Sequence, residues 1–152
     1  MSPRFENVEP GTALTPLTVG PLTAVHLMRF SAAIENWHRI HYDERFAREH
    51  DGLPGLLISG SFKQHLAAQM VRAWAGADGR LVRIGMQFRA MNIVGETLTA
   101  WGTVTDCRTE NGLGVIACEI GIRNEHGVES SPGTAAVTLP VGRVMATATA
   151  SR

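Results

Sequence analysis

The chain has 152 residues, 44% of them hydrophobic, with 14 Lys and Arg balanced by 14 Asp and Glu and with two cysteines. That length suits one domain with a core of its own, and a net charge of zero argues against a nucleic-acid or membrane-surface binder that works by charge. No apolar run approaches the roughly 18 residues of a membrane span. The N-terminus "MSPRFENVEPG" lacks the apolar centre of a signal peptide, and Cys107 and Cys118 lack the spacing of a metal site or a disulfide framework. A globular, cytoplasmic protein is expected.

In chain order, "TVGPLTAVHLMRFSAAIEN" opens on turn residues. Thr23 is then placed as the N-cap of a helix on which Leu27, Phe30 and Ile34 share one face. Asn36 suits either the C-cap of that helix or a direct role in a site. A short helix follows over residues 43–49, with Asp43 as its N-cap, and "DGLPG" ends it. From Ser59, another good N-cap, a longer helix carries Phe62, Leu66 and Met70 at a spacing of four, extended by Val71 and Trp74. "AGADG" terminates it.

The remainder reads as strands. In "LVRIGMQFRAM", Val82, Ile84, Met86, Phe88 and Ala90 alternate with Arg83, Gly85, Gln87 and Arg89, the period of a strand with one buried face. "TLTAWGTVTDC" follows, and Asn111-Gly112 is a hairpin turn signal. "LGVIACEIGIR", a turn at "NEHG", and "TAAVTLPV" complete an antiparallel meander. Helices first and strands afterwards define an α+β chain, with the helix from Ser59 to Trp74 covering the sheet. Met70, Trp74 and Met86 are assigned to the core. Lys63 and Arg89 read first as solvated surface charges, although both are candidates for the phosphates of a carrier arm. Residues from about 141 to 152 read as a loose tail.

The stretch "ENWHRIHYDERFAREHDGLPGLLISGSF" crowds His38 and His41 between two helices and ahead of a Gly/Pro loop. Histidine titrates near neutral pH and suits proton transfer. Gly60, at the start of the long helix, allows close approach to backbone N–H groups that can hold a developing oxyanion.

A long helix wrapped by an antiparallel sheet is the hot-dog arrangement, and there the motifs become specific. "FSAAIENWHRIHYDERFA" resembles the hydratase motif of the MaoC-like (R)-specific enoyl-thioester hydratases and dehydratases, approximately Gly-Asp-x-Asn-Pro-Ile-His-x-Asp. "GLPGLLISG" is similar to that family's loop into the central helix, which usually ends Ile-Ala-His-Gly. "MQFRAMNIVGETLTAWGTV" is similar to its Phe-Arg-x-Pro-x-x-x-Gly-Asp-Thr-Leu strand pair. The resemblance runs from about residue 17 to about residue 140, and the His-Arg-Ile-His-Tyr-Asp variant is closer still to the branch of mesaconyl-CoA-type hydratases and 3-hydroxyacyl-thioester dehydratases.

The resemblance implies a single hot-dog domain over residues 1–152 and a hydro-lyase acting across the α,β bond of an acyl thioester. It places the catalytic histidine at His41 and the oxyanion-hole glycine at Gly60. The family's catalytic aspartate falls on Asn36, a departure, because an amide neither takes nor gives a proton. The motif asparagine falls on His38 and the loop histidine on Ser59. His38, Ser59, Ser61 and Arg89 are the implied substrate-binding residues. No metal or redox cofactor is implied, since coenzyme A or an acyl carrier belongs to the substrate. A homodimer or higher homo-oligomer, or else a hot-dog heterodimer, is the expected assembly, with neither nucleic acid nor membrane as partner. Two other functions remain open: an acyl-thioester-binding subunit that supports a catalytic partner, favoured by Asn36, and a thioesterase, disfavoured because no carboxylate lies between Ser59 and Trp74.

Overall fold

The computed structural model describes residues 3–142. Strand β1 (Leu17–Val19), helix α1 (Ala24–Ala33), helix α2 (Gly60–Ala75) and strands β2 (Arg80–Met86), β3 (Leu98–Glu110), β4 (Leu113–Asn124) and β5 (Glu129–Pro140) follow one another along the chain. The five strands form one antiparallel sheet in the order β1-β3-β4-β5-β2.

Helix α2 lies against one face of the sheet because its sequence carries a continuous apolar stripe. Leu66, Ala67, Met70, Val71, Trp74 and Ala75 are all buried. Opposite them, alternate residues of the strands point inward: Leu98, Ala100 and Val104 from β3, Ile116, Cys118, Ile120 and Ile122 from β4, and Ala135, Val137 and Leu139 from β5. Strand period two and helix period 3.6 thus meet in one core. This is the α+β hot-dog arrangement of a sheet curled around a central helix.

Both helix starts expected from the sequence form as read. The backbone N–H of Thr23 donates to His26 Nδ1 at 3.1 Å, and Ser59 Oγ accepts from the Phe62 N–H at 3.2 Å. At the far end, Gly76 takes a φ of 74°, a conformation that favours glycine, and stops α2. Asn111 and Gly112 have φ of 50° and 77°, the paired left-handed geometry of a tight hairpin, which joins β3 to β4.

Several expectations are corrected. The helix face of Leu27, Phe30 and Ile34 is only partly inward, because α1 ends at Ala33 and Ile34 is 44% exposed. Strand β1 was hidden among the turn residues of "TVGP", since three residues carry too little periodicity to read. The sheet is not a simple meander. Strands β3, β4 and β5 are consecutive neighbours, but β2 pairs with β5 at the edge.

The strand expected through Ala90 ends at Met86. Past the Met86–Gly133 pair, Gln87 N–H donates to Pro132 O, while Pro132 has no N–H to return. The ladder becomes one-sided: Arg89 and Ala90 N–H donate to Ser130 O at 2.9 and 3.1 Å, but the regular strand has ended. A register shift between Leu81 and Arg83 also turns Val82 outward, 55% exposed. Of the proposed tail, residues 143–152 lie outside the described residues.

Candidate active site

Beyond α1 the chain turns sharply to deliver His41. Glu35 takes the left-handed conformation (φ 54°) that ends the helix, so Asn36 is not the C-cap. Asn36 instead folds the loop onto itself. Its N–H donates to Ser31 O at 2.9 Å and its Oδ1 accepts the His38 N–H at 3.3 Å. Tyr42 OH donates to Trp37 O at 2.7 Å. A single 3-10 turn, Arg39–His41, follows. Asp43 accepts from Arg39 Nη2 at 2.7 Å and from the Phe46 N–H at 3.0 Å, which makes it the N-cap expected from the sequence. The short helix beyond it closes as a π-turn over Phe46–His50.

These bonds seat the His41 ring, 7% exposed, under the loop that enters α2. Leu57 N–H donates to Ile40 O at 3.0 Å, and His41 Nδ1 lies 2.7 Å from Leu57 O. A carbonyl only accepts, so Nδ1 carries the proton and the lone pair of the neutral ring sits on Nε2. Among the described residues Nε2 has no hydrogen-bond partner. Burial lowers the pKa of His41 below its ordinary value; the Leu57 carbonyl opposes that shift and the nearby His38 adds to it. The two rings are 6.0 Å apart between centroids. The result is a desolvated imidazole with a fixed tautomer.

Three residues beyond Leu57, Gly60 begins α2. The first N–H groups of a helix have no intrahelical acceptor. Ser59 Oγ takes that of Phe62 and sits 3.1 Å from Ser61 Oγ, which leaves the N–H groups of Gly60 and Ser61 for another acceptor. Gly60 lets the Phe88 ring approach closely: a Cβ would stand 2.9 Å from that ring and push it aside. A cleft of about 230 Å³ opens beside this point, lined among others by Leu57, Gly60, Lys63, Phe88 and Arg89.

Of the sequence-predicted residues, Gly60 and Arg89 share this cleft, with Ser59 and Ser61 next to Gly60 at the start of α2, and His41 is tethered to the cleft wall through Leu57. His38 is exposed and Asn36 partly exposed, joined to each other through the loop rather than to the cleft. Arg89 is exposed and donates to Gln87 Oε1 through Nε at 2.9 Å. Lys63 is a correction. It is 3% exposed, not a solvated charge, and its Nζ donates to Ala90 O at 3.0 Å and Asn92 Oδ1 at 3.3 Å. Asn92 and Phe88 went unnoticed in the sequence. One signal was available: a lysine in the first turn of a helix faces the positive end of the dipole, an unfavourable place that calls for a reason. Among the described residues no group of His, Cys, Asp and Glu could hold a metal ion, and no helix is long and apolar enough to cross a membrane.

The architecture defines the class: a hot-dog domain. The chain is similar in fold to the (R)-hydratase of A. caviae involved in PHA biosynthesis, with a TM-score of 0.79 at 21% identity over 89% of this chain and 99% of that one. It is similar also to a chain of the ChsH1–ChsH2 complex from Mycobacterium tuberculosis, with a TM-score of 0.74 at 20% identity over 86% and 98% of the two chains. Residues 6–96 match the hydroxyacyl-thioester dehydratase type 2 family, and the chain belongs to it. A mesaconyl-C(4)-CoA hydratase of Chloroflexus aurantiacus is 44% identical over 46 residues, a match spanning 30% of this chain and 16% of that protein.

Proposed function

We propose that this protein is a hydro-lyase that adds water to, or removes it from, the α,β bond of an acyl thioester carried by coenzyme A or an acyl carrier. The observation that carries the reading is the His41 tautomer: Nδ1 is committed to Leu57 O, and Nε2 is a free base held against the chain segment that leads into Gly60. In dehydration, His41 Nε2 takes the α-proton and the electron pair moves into the thioester, charging its carbonyl oxygen. The Gly60 N–H at the helix start stabilises that charge. The pair then returns to form the double bond as the β-carbon–oxygen bond breaks, and the departing oxygen takes the proton back from His41 as water. Asn36, whose amide Nδ2 has no partner among the described residues, holds the departing or attacking water. Hydration is the reverse. No oxidation state changes, so the reading calls for no redox cofactor, and no metal takes part in any step.

The working assembly in this reading is a dimer in the cytoplasm. Strand β2 leaves one sheet edge open, and Val82, Phe88 and Met91 are exposed apolar side chains on or after it. A chain of similar fold occurs in the ChsH1–ChsH2 complex, which supports a heterodimer as the second form.

One observation favours a non-catalytic subunit: Asn36 replaces a titratable group, and its Oδ1 is spent on the His38 backbone. Ultraviolet absorbance of an enoyl thioester incubated with pure protein separates the readings. Loss of the conjugated band without free thiol means hydration. Free thiol means hydrolysis, and an unchanged spectrum means a binding subunit.

A further inference from the structure

Among the described residues, Lys63 is the one buried cation next to the cleft, and the chemistry proposed above leaves it unused. It stands in the first turn of α2, where the helix dipole opposes a positive charge. Its ammonium is bonded only to neutral oxygens, Ala90 O and Asn92 Oδ1. Among the described residues it makes no salt bridge. A surface lysine would avoid both costs by swinging into water, yet this one is 3% exposed.

Its bonds explain what it holds. Ala90 and Asn92 belong to the segment after β2, which two N–H bonds to Ser130 O hold on its other side, and Phe88 of that segment packs against Gly60, with the Lys63 Nζ 5.7 Å from the ring centroid. Asn92 is fixed in turn: its Nδ2 donates to Glu96 Oε2 at 2.8 Å, Glu96 Oε1 accepts the Ile93 N–H at 2.8 Å, and Asn92 O accepts the Ile58 N–H at 2.8 Å. Lys63 therefore ties the floor of the cleft, the entry to α2 and the Phe88 cover into one unit.

We propose that Lys63 is a positioning residue for the oxyanion site, holding segment 88–92 beside Gly60 and keeping a fixed positive charge near it as the thioester oxygen becomes negative. This rests on the hydro-lyase reading. A charge that matters only as the oxyanion forms acts on kcat and leaves KM nearly unchanged. The charged groups facing Lys63 are Glu96, reached through Asn92, and Arg89, which lines the same cleft; its own helix carries no acid in the first turn. Burial lowers its pKa from the ordinary lysine value, and Glu96 opposes that. The active form is the protonated one, so activity declines on the alkaline side as the ammonium loses its proton.

The test compares wild type, Lys63→Met and Lys63→Arg on the best enoyl thioester across neutral to alkaline pH. Lys63→Met is expected to lose on the order of 10- to 100-fold in kcat, less than removal of a direct oxyanion donor, with KM nearly constant. Lys63→Arg should keep most of the activity and move the alkaline limb to higher pH. If Lys63→Met fails to fold, the wild-type and Lys63→Arg profiles decide alone. An unmoved alkaline limb in Lys63→Arg, or wild-type kcat in Lys63→Met, overturns this proposal while the hydro-lyase reading stands. A wild type inert toward every thioester overturns both.

Discussion

His41 Nδ1 and Leu57 O stand 2.7 Å apart across a separation of 16 residues. This bond gives the histidine its tautomer, its burial and its proximity to the start of α2. It also makes the ring part of the fold as well as part of the candidate chemistry.

Replacing His41 is therefore expected to register twice. His41→Ala should lower turnover by about 10²- to 10⁴-fold, the range of a general acid–base group. It should also lower stability by about 1–3 kcal/mol, because Leu57 O loses its partner in a buried place. His38→Ala, at an exposed ring, should change either quantity far less. Steady-state kinetics and thermal unfolding of both variants check this, and near-full activity in His41→Ala refutes the assignment.

The acid limb of the pH–rate profile reports His41. Its folded pKa lies below the ordinary 6.5, with burial as the main cause and the His38 charge as a lesser one. With the free imidazole as the proposed base, rate falls as pH drops through that lowered value. The limb is expected below the ordinary imidazole range, and His38→Gln should move it upward by removing a like charge. The unfolded chain binds the proton more readily, so the same group withdraws stability as pH falls below 6.5. A limb above that value contradicts the buried ring.

Asn36 separates chemistry from loop geometry. Asn36→Ala loses the acceptor for the His38 N–H, at a cost of about 1 kcal/mol, and should lower turnover with it. An aspartate can accept the same bond, so Asn36→Asp should fold normally, remain active and raise the apparent pKa of His41 by its negative charge. Full activity in Asn36→Ala means that the residue only shapes the loop. An inert wild type rescued by Asn36→Asp identifies a non-catalytic subunit.

Gly60→Ala sets helix propensity against space. In an open helix the change gains up to about 1 kcal/mol. Here the new Cβ stands 2.9 Å from Phe88, whose exposed ring can swing aside, so unfolding temperature should move little. Turnover should fall, because the methyl occupies the approach to the Gly60 N–H. Kinetics beside thermal unfolding checks the split. Equal activity of Gly60→Ala and wild type removes Gly60 from the site.

Much of the fold was legible because its signals are local. The stripe from Leu66 to Trp74, the Ser59 cap and the Asn111-Gly112 turn each fit within one helix or one hairpin. What escaped depends on partners distant in sequence. The end of β2 is set by Pro132, a residue on another strand. The burial of Lys63 is set by Ala90 and Asn92, which approach only when the chain folds back. Likewise, the motif placed His41 and Gly60, whereas the bond from His41 to Leu57 and the Phe88 cover of Gly60 follow from how the loop is seated.

The hairpin tip at Asn111-Gly112 has a practical meaning. Along β4, Gly121 faces Pro132 beside the segment that carries Phe88, while Leu113 faces Pro140 at the other end. Eight residue steps along the strand separate the two ends, roughly 25 Å. The exposed tip is thus the natural handle of the molecule. An affinity tag, a surface tether or new chain ends placed there would leave the cleft free.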